Sequence, residues 1–201
     1  GYLSRMLARR GATMVGVENS QRFYELALAY QAEERLDIVY HRGSISDMPY
    51  LEDASFDAIV CNYVLMDTRD YEGAVREFAR VLRPGGVAVV VILHPCFHTA
   101  GCGWLREPAD SLRREDRTRW LVDQYFRRGT WQLHWHPFDT PFVVFHRTLS
   151  DYYGTFQAAG LRITGLEEPS VTARGERELA PYHVRHLKRI PYSVAFRLQR
   201  E

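Results

Sequence analysis

Apolar residues recur along the chain in two rhythms. Tyr2, Leu3, Met6 and Leu7 stand at helical spacing, and Arg9-Arg10-Gly11 ends that segment with a basic last turn and a glycine stop. Residues 12–17 form an apolar run without alternation, as a strand covered on both faces requires. Ser20 then caps a periodic stretch, Gln21–Glu34, whose predicted inner face carries Phe23, Leu26, Ala27 and Tyr30. Strands follow at 37–41 and at Phe56–Asn62, separated by a loop at 42–47 and a turn-rich connection around Pro49. Residues 70–82 read as a helix with Ala74, Phe78, Val81 and Leu82 on one face. Arg83-Pro-Gly-Gly86 reads as a tight turn, and 87–93 is the most apolar strand of all. The rhythm then breaks from His94 to Pro141. It resumes with a strand at 142–145, a helix at 148–159 stopped by Gly160, and strands at 161–166 and 192–198. The roughly 25 residues between the last two strands show no helical period, so a loop return and an antiparallel pair at the sheet edge are expected.

Strands alternating with helices give an α/β class, with crossover connections, a mostly parallel sheet and helices on both faces. The 201 residues suit one domain, 46% hydrophobic and 25% charged. Lys+Arg is 26 against Asp+Glu 25, which leaves no basic field for nucleic acid. Lys188 is the only lysine, a bias assigned to coding before function. No apolar run reaches the roughly 18–20 residues of a membrane span, and no signal peptide opens the chain. Cys61, Cys96 and Cys102 are too few and odd in number for a disulfide framework, so a cytoplasmic setting is expected.

In an open parallel sheet, ligands gather beyond the carboxyl ends of the strands. That singles out Glu18, the loop at 43–47, Asn62 and His94. A carboxylate at a strand end before a capped helix suits the two hydroxyls of a ribose, and equally a surface Glu that favours the next helix's N-terminus. The buried strand before Glu18 tips the balance to ribose. His94, Cys96 and His98 at alternate positions suggest a metal, but Pro95 breaks the strand geometry and no Cys-x-x-Cys supports it, so no metal is expected.

Taken in order, Val-Gly-Val-Glu18-Asn-Ser, Gly43-Ser-Ile-Ser-Asp-Met-Pro-Tyr50, Ser55-Phe-Asp-Ala-Ile-Val-Cys-Asn62 and Val81-Leu-Arg-Pro-Gly-Gly86 resemble one family. They look like the successive motifs of class I S-adenosylmethionine-dependent methyltransferases, of the broad type-11 small-molecule group. The resemblance covers residues 1–97, and the tail around Phe145-His-Arg-Thr-Leu-Ser-Asp-Tyr and Leu166-Glu-Glu-Pro169 is similar to the closing half of bacterial members. It implies a Rossmann-like sheet and S-adenosylmethionine as cofactor. In this family a loop Asp/Glu-x-Gly-x-Gly-x-Gly precedes a helix like Gly1-Tyr-Leu-Ser-Arg-Met-Leu. Gly1 is then expected to be that loop's last glycine, with the sheet's first strand missing from this sequence. The 201 residues alone are expected to fold poorly or to be inactive.

By the same resemblance Glu18 would hold the ribose, Asn19 would sit beside the adenosine, and Ile45 would contact the adenine. Ser44 stands where the family commonly has an Asp for the adenine amino group, a departure that puts this contact in doubt. Asn62 would approach the methionyl part, with Tyr63 near the methyl. Transfer is an in-line displacement at a carbon that already carries a good leaving group, so the protein mainly aligns and excludes water. A hydroxyl or amine acceptor can also use a base. His94 is the first candidate, then His146 and Tyr63; the other reading of His94 is a hydrogen-bonded residue that shapes the turn before Pro95. The insert at 98–141 follows the fifth strand, counting the missing first, and contains all four tryptophans: Trp104, Trp120, Trp131 and Trp135. It is expected to cap an acceptor pocket, to form a small core of its own, or both. Its run Arg113-Arg114-Glu115-Asp116-Arg117-Thr-Arg119 reads as a solvated helical face rather than an anion site. The expected partner is a small molecule, neither nucleic acid nor membrane. The alternatives are a nicotinamide-dependent oxidoreductase, since Glu18 suits either cofactor, and a non-catalytic methyltransferase-like binding protein, which Ser44 keeps in view.

Overall fold

The structure, a computed structural model, describes residues 1–134 and 139–201; Trp135 lies outside the described residues. The chain alternates as expected through α1 (Tyr2–Ala8), β1 (Met14–Glu18), α2 (Gln21–Glu34), β2 (Ile38–Arg42) and β3 (Phe56–Asn62). A 3₁₀ turn (Leu65–Asp67) precedes α3 (Tyr71–Val81) and β4 (Leu82–Leu93). Ser20 caps α2 through a bond from the Phe23 amide, and Asp70 caps α3 through the Gly73 amide at 2.8 Å.

The strands form two separate central sheets. β1 pairs in parallel with β2 only, in the register Met14 to Ile38 through Glu18 to Arg42. The second sheet has the order β3-β4-β10-β9, where β9 is Leu161–Glu167 and β10 is Ser193–Arg200. β3 and β4 are parallel, and β10 runs antiparallel to both β4 and β9. The antiparallel pair therefore closes the sheet as expected, with the reversed strand β10 one place in from the edge. Between β1 and β3 lies a slot of about 800 Å³, lined along both strands by residues such as Val15, Val17, Ala58 and Val60.

The core belongs to the second sheet. Leu82, Ala88, Val90 and Ile92 of β4 and Val194, Phe196 and Leu198 of β10 are fully enclosed or nearly so. They pack on Ala74, Val75 and Phe78 of α3 and on Tyr152 and Phe156 of α4 (Leu149–Ala158). Around the first sheet only Ala27 of α2 and Ile38 of β2 are buried, and Phe23, Leu26 and Tyr30 stay more than two-fifths exposed.

Four local expectations change. The Arg83–Gly86 turn is a bulge inside a continuous β4, because Phe56 pairs with Leu82 while Ala58 pairs with Val87. Gly85 takes φ +79°, and a Cβ on Gly86 would come within 2.8 Å of the Arg83 carbonyl oxygen, so both glycines are needed there. The described part of the insert contains β structure: a hairpin of β5 (Gly103–Arg106) and β6 (Arg117–Leu121), then β7 (Gly129–Leu133), which pairs with β8 (Phe142–His146) just after the insert. Its arginine run is thus a turn leading into a strand, not a helical face. Between β9 and β10 stand two short helices, α5 (Ala173–Glu178) and α6 (Pro181–Leu187), with no buried residue in either. Too short to show a period and without an apolar stripe, they are held from outside. His186 packs edge-on against Trp104 at 4.5 Å and lies 5.2 Å from Trp120.

Candidate functional site

Two clusters stand at the carboxyl ends of the parallel strands. The first surrounds the mouth of the slot. Glu18 ends β1, and its Oε1 accepts from the Ser20 amide at 2.8 Å, which fixes the carboxylate at the start of α2 and leaves Oε2 to accept elsewhere. Gly1 and Ile45 line the same slot. A Cβ on Gly1 would meet the Tyr40 hydroxyl at 2.8 Å and the Ala27 Cβ at 3.0 Å, so the backbone approach there is closed to any side chain. The Ile45 loop is anchored from behind: Arg80 of α3 donates to the carbonyls of Met48 and Leu51, and the Met48 amide donates to Glu77 at 2.7 Å. The Glu77 carboxyl is held below its ordinary range by its bond from Arg80, so the clamp stays charged.

A carboxylate at a strand end and an apolar loop residue fit the diol and the base of a nucleoside, and Gly1 adds a helix start without a side chain. Asn19, Ser44 and Asn62 face solvent outside the slot lining. The Ser44 Oγ accepts from the Ser46 amide at 3.1 Å and so serves its own turn.

The second cluster lies beyond β4. His94 is buried; its Nδ1 accepts from the Cys96 amide at 3.2 Å, so its Nε2 carries the proton and donates to Glu168 Oε1 at 2.6 Å. His94 thus shapes the turn before Pro95 and also orients a carboxylate that is half exposed. The residues after it form that turn, not an extended strand, since the Phe97 and His98 amides both donate to the His94 carbonyl. Among the described residues no three His, Cys, Asp or Glu side chains are placed to hold a metal.

Tyr63 follows β3 with φ +55°, a left-handed backbone held by its amide's bond to the Val91 carbonyl at 2.8 Å. Its ring lies 6.3 Å from that of Tyr192, which in turn meets His98 edge-on at 4.8 Å. Burial lowers the His98 pKa to about 4, and the charges of His186 and His94 add to it, so His98 is neutral at physiological pH. The segment after Tyr63 is fixed by Arg147, a buried guanidinium that donates to the carbonyls of Leu65, Thr68 and Arg69 and stacks 3.9 Å over Tyr71. Asp67 in that segment is raised to about 6 by desolvation.

His146 stands apart. Its Nε2 donates to the Tyr125 carbonyl at 2.7 Å and fastens the insert to β8. Sequence reasoning missed Glu168 and Tyr192. Glu168 carried the signal applied to Glu18, an acidic residue at a strand end, here followed by Pro169.

The fold is Rossmann-like, and its first strand end brings a carboxylate and an apolar loop residue to one slot. A family model described as a methyltransferase domain matches residues 1–90. The ubiquinone biosynthesis O-methyltransferase of Alkalilimnicola ehrlichii is 28% identical over 94 residues, 47% of this chain and 38% of that protein. The demethylmenaquinone methyltransferase of Tropheryma whipplei is 36% identical over 90 residues, 45% of this chain and 36% of that one. The matched segment therefore spans little more than a third of these relatives. An S-adenosylmethionine-dependent methyltransferase structure from Mesorhizobium loti superposes with a TM-score of 0.79 at 24% identity, covering 100% of this chain and 86% of that one. A second, described as a putative methyltransferase of the same kind from Listeria monocytogenes, gives 0.73 at 18% identity over 94% and 80%. Residues 1–90 thus match a methyltransferase domain, and the chain shares the fold of S-adenosylmethionine-dependent methyltransferase structures.

Proposed function

We propose that the chain transfers a methyl group from S-adenosylmethionine to a small-molecule acceptor by in-line displacement. The observation that carries this reading is the convergence of Glu18, Gly1 and Ile45 on one mouth at the carboxyl end of β1. When bound, S-adenosylmethionine supplies a methyl on a sulfonium, whose departure needs no protonation. Glu18 accepts from the ribose hydroxyls, its geometry fixed in advance by the Ser20 amide. Asn19 and Ser44 flank the adenosine from the solvent side, and Asn62 and Tyr63 approach the methionyl end from β3.

The acceptor lies beside Tyr63 and Tyr192, whose rings favour a flat partner. The names of the quinone-pathway relatives point the same way. With both imidazole nitrogens of His94 engaged, the half-exposed carboxylate it orients, Glu168, receives the acceptor's proton. His146 supports the insert from β8, and residues 98–141 cap the acceptor space and exclude water. No described helix is long and apolar enough to cross a membrane, and we assign the protein to the cytoplasm.

Calorimetric titration tests the cofactor. S-adenosylhomocysteine is expected to bind saturably and NADH not at all, with affinity lost in Glu18→Ala. Binding of NADH alone would support an oxidoreductase. Cofactor binding without methyl transfer to any acceptor in a panel of catechols, phenols and amines would support a non-catalytic binding protein.

A further inference from the structure

The hairpin β5–β6 sets two arginines directly opposite each other. Arg106 and Arg117 are cross-strand partners, an arrangement that like charges disfavour. Neither forms an ion pair among the described residues, and the Nε atom of each is buried with no hydrogen-bond partner. Trp104, from the same hairpin, gathers further cationic groups. The guanidinium carbons of Arg117 and Arg189 lie 5.6 and 6.0 Å from its ring centre, and the His186 ring lies 4.5 Å away. The Nε2 of His186 is also buried and unpartnered.

The neighbouring acids do not neutralise this cluster. Glu115 lies 3.9 Å from Arg113, Asp116 accepts from the Ser111 hydroxyl, and Glu176 pairs with Lys188 at 2.8 Å. Arg185 and Arg189 donate to the backbone carbonyls of Glu115 and Thr118, and Arg114 donates to the Tyr182 hydroxyl. Excess positive charge registers on the groups inside. Burial lowers the pKa of His186 to about 4, with Arg117, His183 and Arg189 adding to it, and burial together with Arg106 and Arg114 lowers that of Arg117.

We propose that this cluster binds a phosphate-type oxyanion, held by Arg106, Arg117 and His186 where the hairpin meets α6. A tetrahedral phosphate oxyanion offers acceptor oxygens for both guanidinium groups and the imidazole, and its negative charge offsets the repulsion across the strand pair. The site stands on the insert and α6, apart from Glu18, and does not depend on the methyl-transfer reading. The same chemistry serves a free phosphorylated molecule or an anionic lipid headgroup.

The test titrates inorganic phosphate, pyrophosphate and vesicles of phosphatidylglycerol or phosphatidylcholine into the protein. Tryptophan fluorescence and thermal melting are followed at ionic strength matched with sodium chloride. Saturable binding is expected. Arg106→Gln and Arg117→Gln should each weaken it at least tenfold while retaining the native circular dichroism, and Arg162→Gln on exposed β9 should not. Arg117→Lys, which keeps the charge but not the Nε donor, should fall between. Saturation by phosphate or pyrophosphate identifies a free anion. Saturation only by phosphatidylglycerol vesicles, lost in the same two variants, identifies a headgroup. The proposal is overturned if no phosphate form binds beyond the chloride control, or if Arg162→Gln weakens binding as much as Arg117→Gln. S-adenosylhomocysteine affinity should stay unchanged in both glutamine variants.

Discussion

The two central sheets contain strands of similar apolar character, yet they are buried to very different degrees. In β4 the residues Leu82, Ala88, Val90 and Ile92 have no exposed surface, whereas every residue of β1 is only half-buried. β4 has a hydrogen-bonded neighbour on each side, β3 and β10, with α3 and α4 over the layer. β1 has a neighbour on one side and the slot on the other. The contrast shows that apolar sequence sets a strand's capacity for burial, and that neighbours decide whether the capacity is used.

The largest effect that can break this comparison is a core truncation on each side. Phe156→Ala, which empties a fully buried site against Phe196, is expected to cost about 3–5 kcal/mol in urea unfolding. Leu26→Ala on α2, at a side chain 45% exposed, is expected to cost less than about 1 kcal/mol. Equal costs would show that the first sheet is as well packed as the second.

Amide hydrogen exchange sharpens the same contrast without mutation. Amides of β4 and β10 are expected to exchange at least about a hundredfold more slowly than those of β1, which open locally rather than globally. Uniform protection across both sheets would mean that the halves unfold as one unit.

The half with little core also carries Glu18, the carboxylate proposed to hold the cofactor. Glu18→Ala is therefore expected to lower S-adenosylhomocysteine affinity at least about tenfold, roughly 1.4 kcal/mol, with little change in the urea midpoint. A fall in the midpoint with binding intact would make Glu18 a fold residue.

The smallest effect lies in the closed half, at the capping box of α4. Asp151 accepts from the Thr148 amide and pairs with Arg128, which lowers its carboxyl pKa from the ordinary 3.8 to about 2. The folded state thus favours the charged form. The stabilisation is fully present above about pH 4 and is lost as pH falls towards 2. Asp151→Ala should cost about 1 kcal/mol at pH 7, and the gap from the unsubstituted protein should shrink between pH 4 and pH 2 in urea titrations. A gap that stays constant with pH would assign the effect to the helix cap's shape rather than to its charge.

Sequence by itself determined the alternating α/β order, the bounds of α2 and β3, and the strand ends where Glu18, Asn62 and His94 stand. Those features rest on local physics: period, capping and the avoidance of buried unpaired backbone. The tertiary structure alone decided the rest. α5 and α6 carry only local signals, the Thr172 cap and Pro181 at the start of α6, and α6 is packed where Trp104 and Trp120 receive His186. The pairing of His94 with Glu168 emerges only when the ends of β4 and β9 bring these two residues, 74 apart in the chain, within 2.6 Å of each other. The arginine run at 113–119 read as a solvated face until the hairpin register set its Arg117 opposite Arg106. Pairing across a sheet is a property of register and topology, and neither is written in the spacing of residues along one strand.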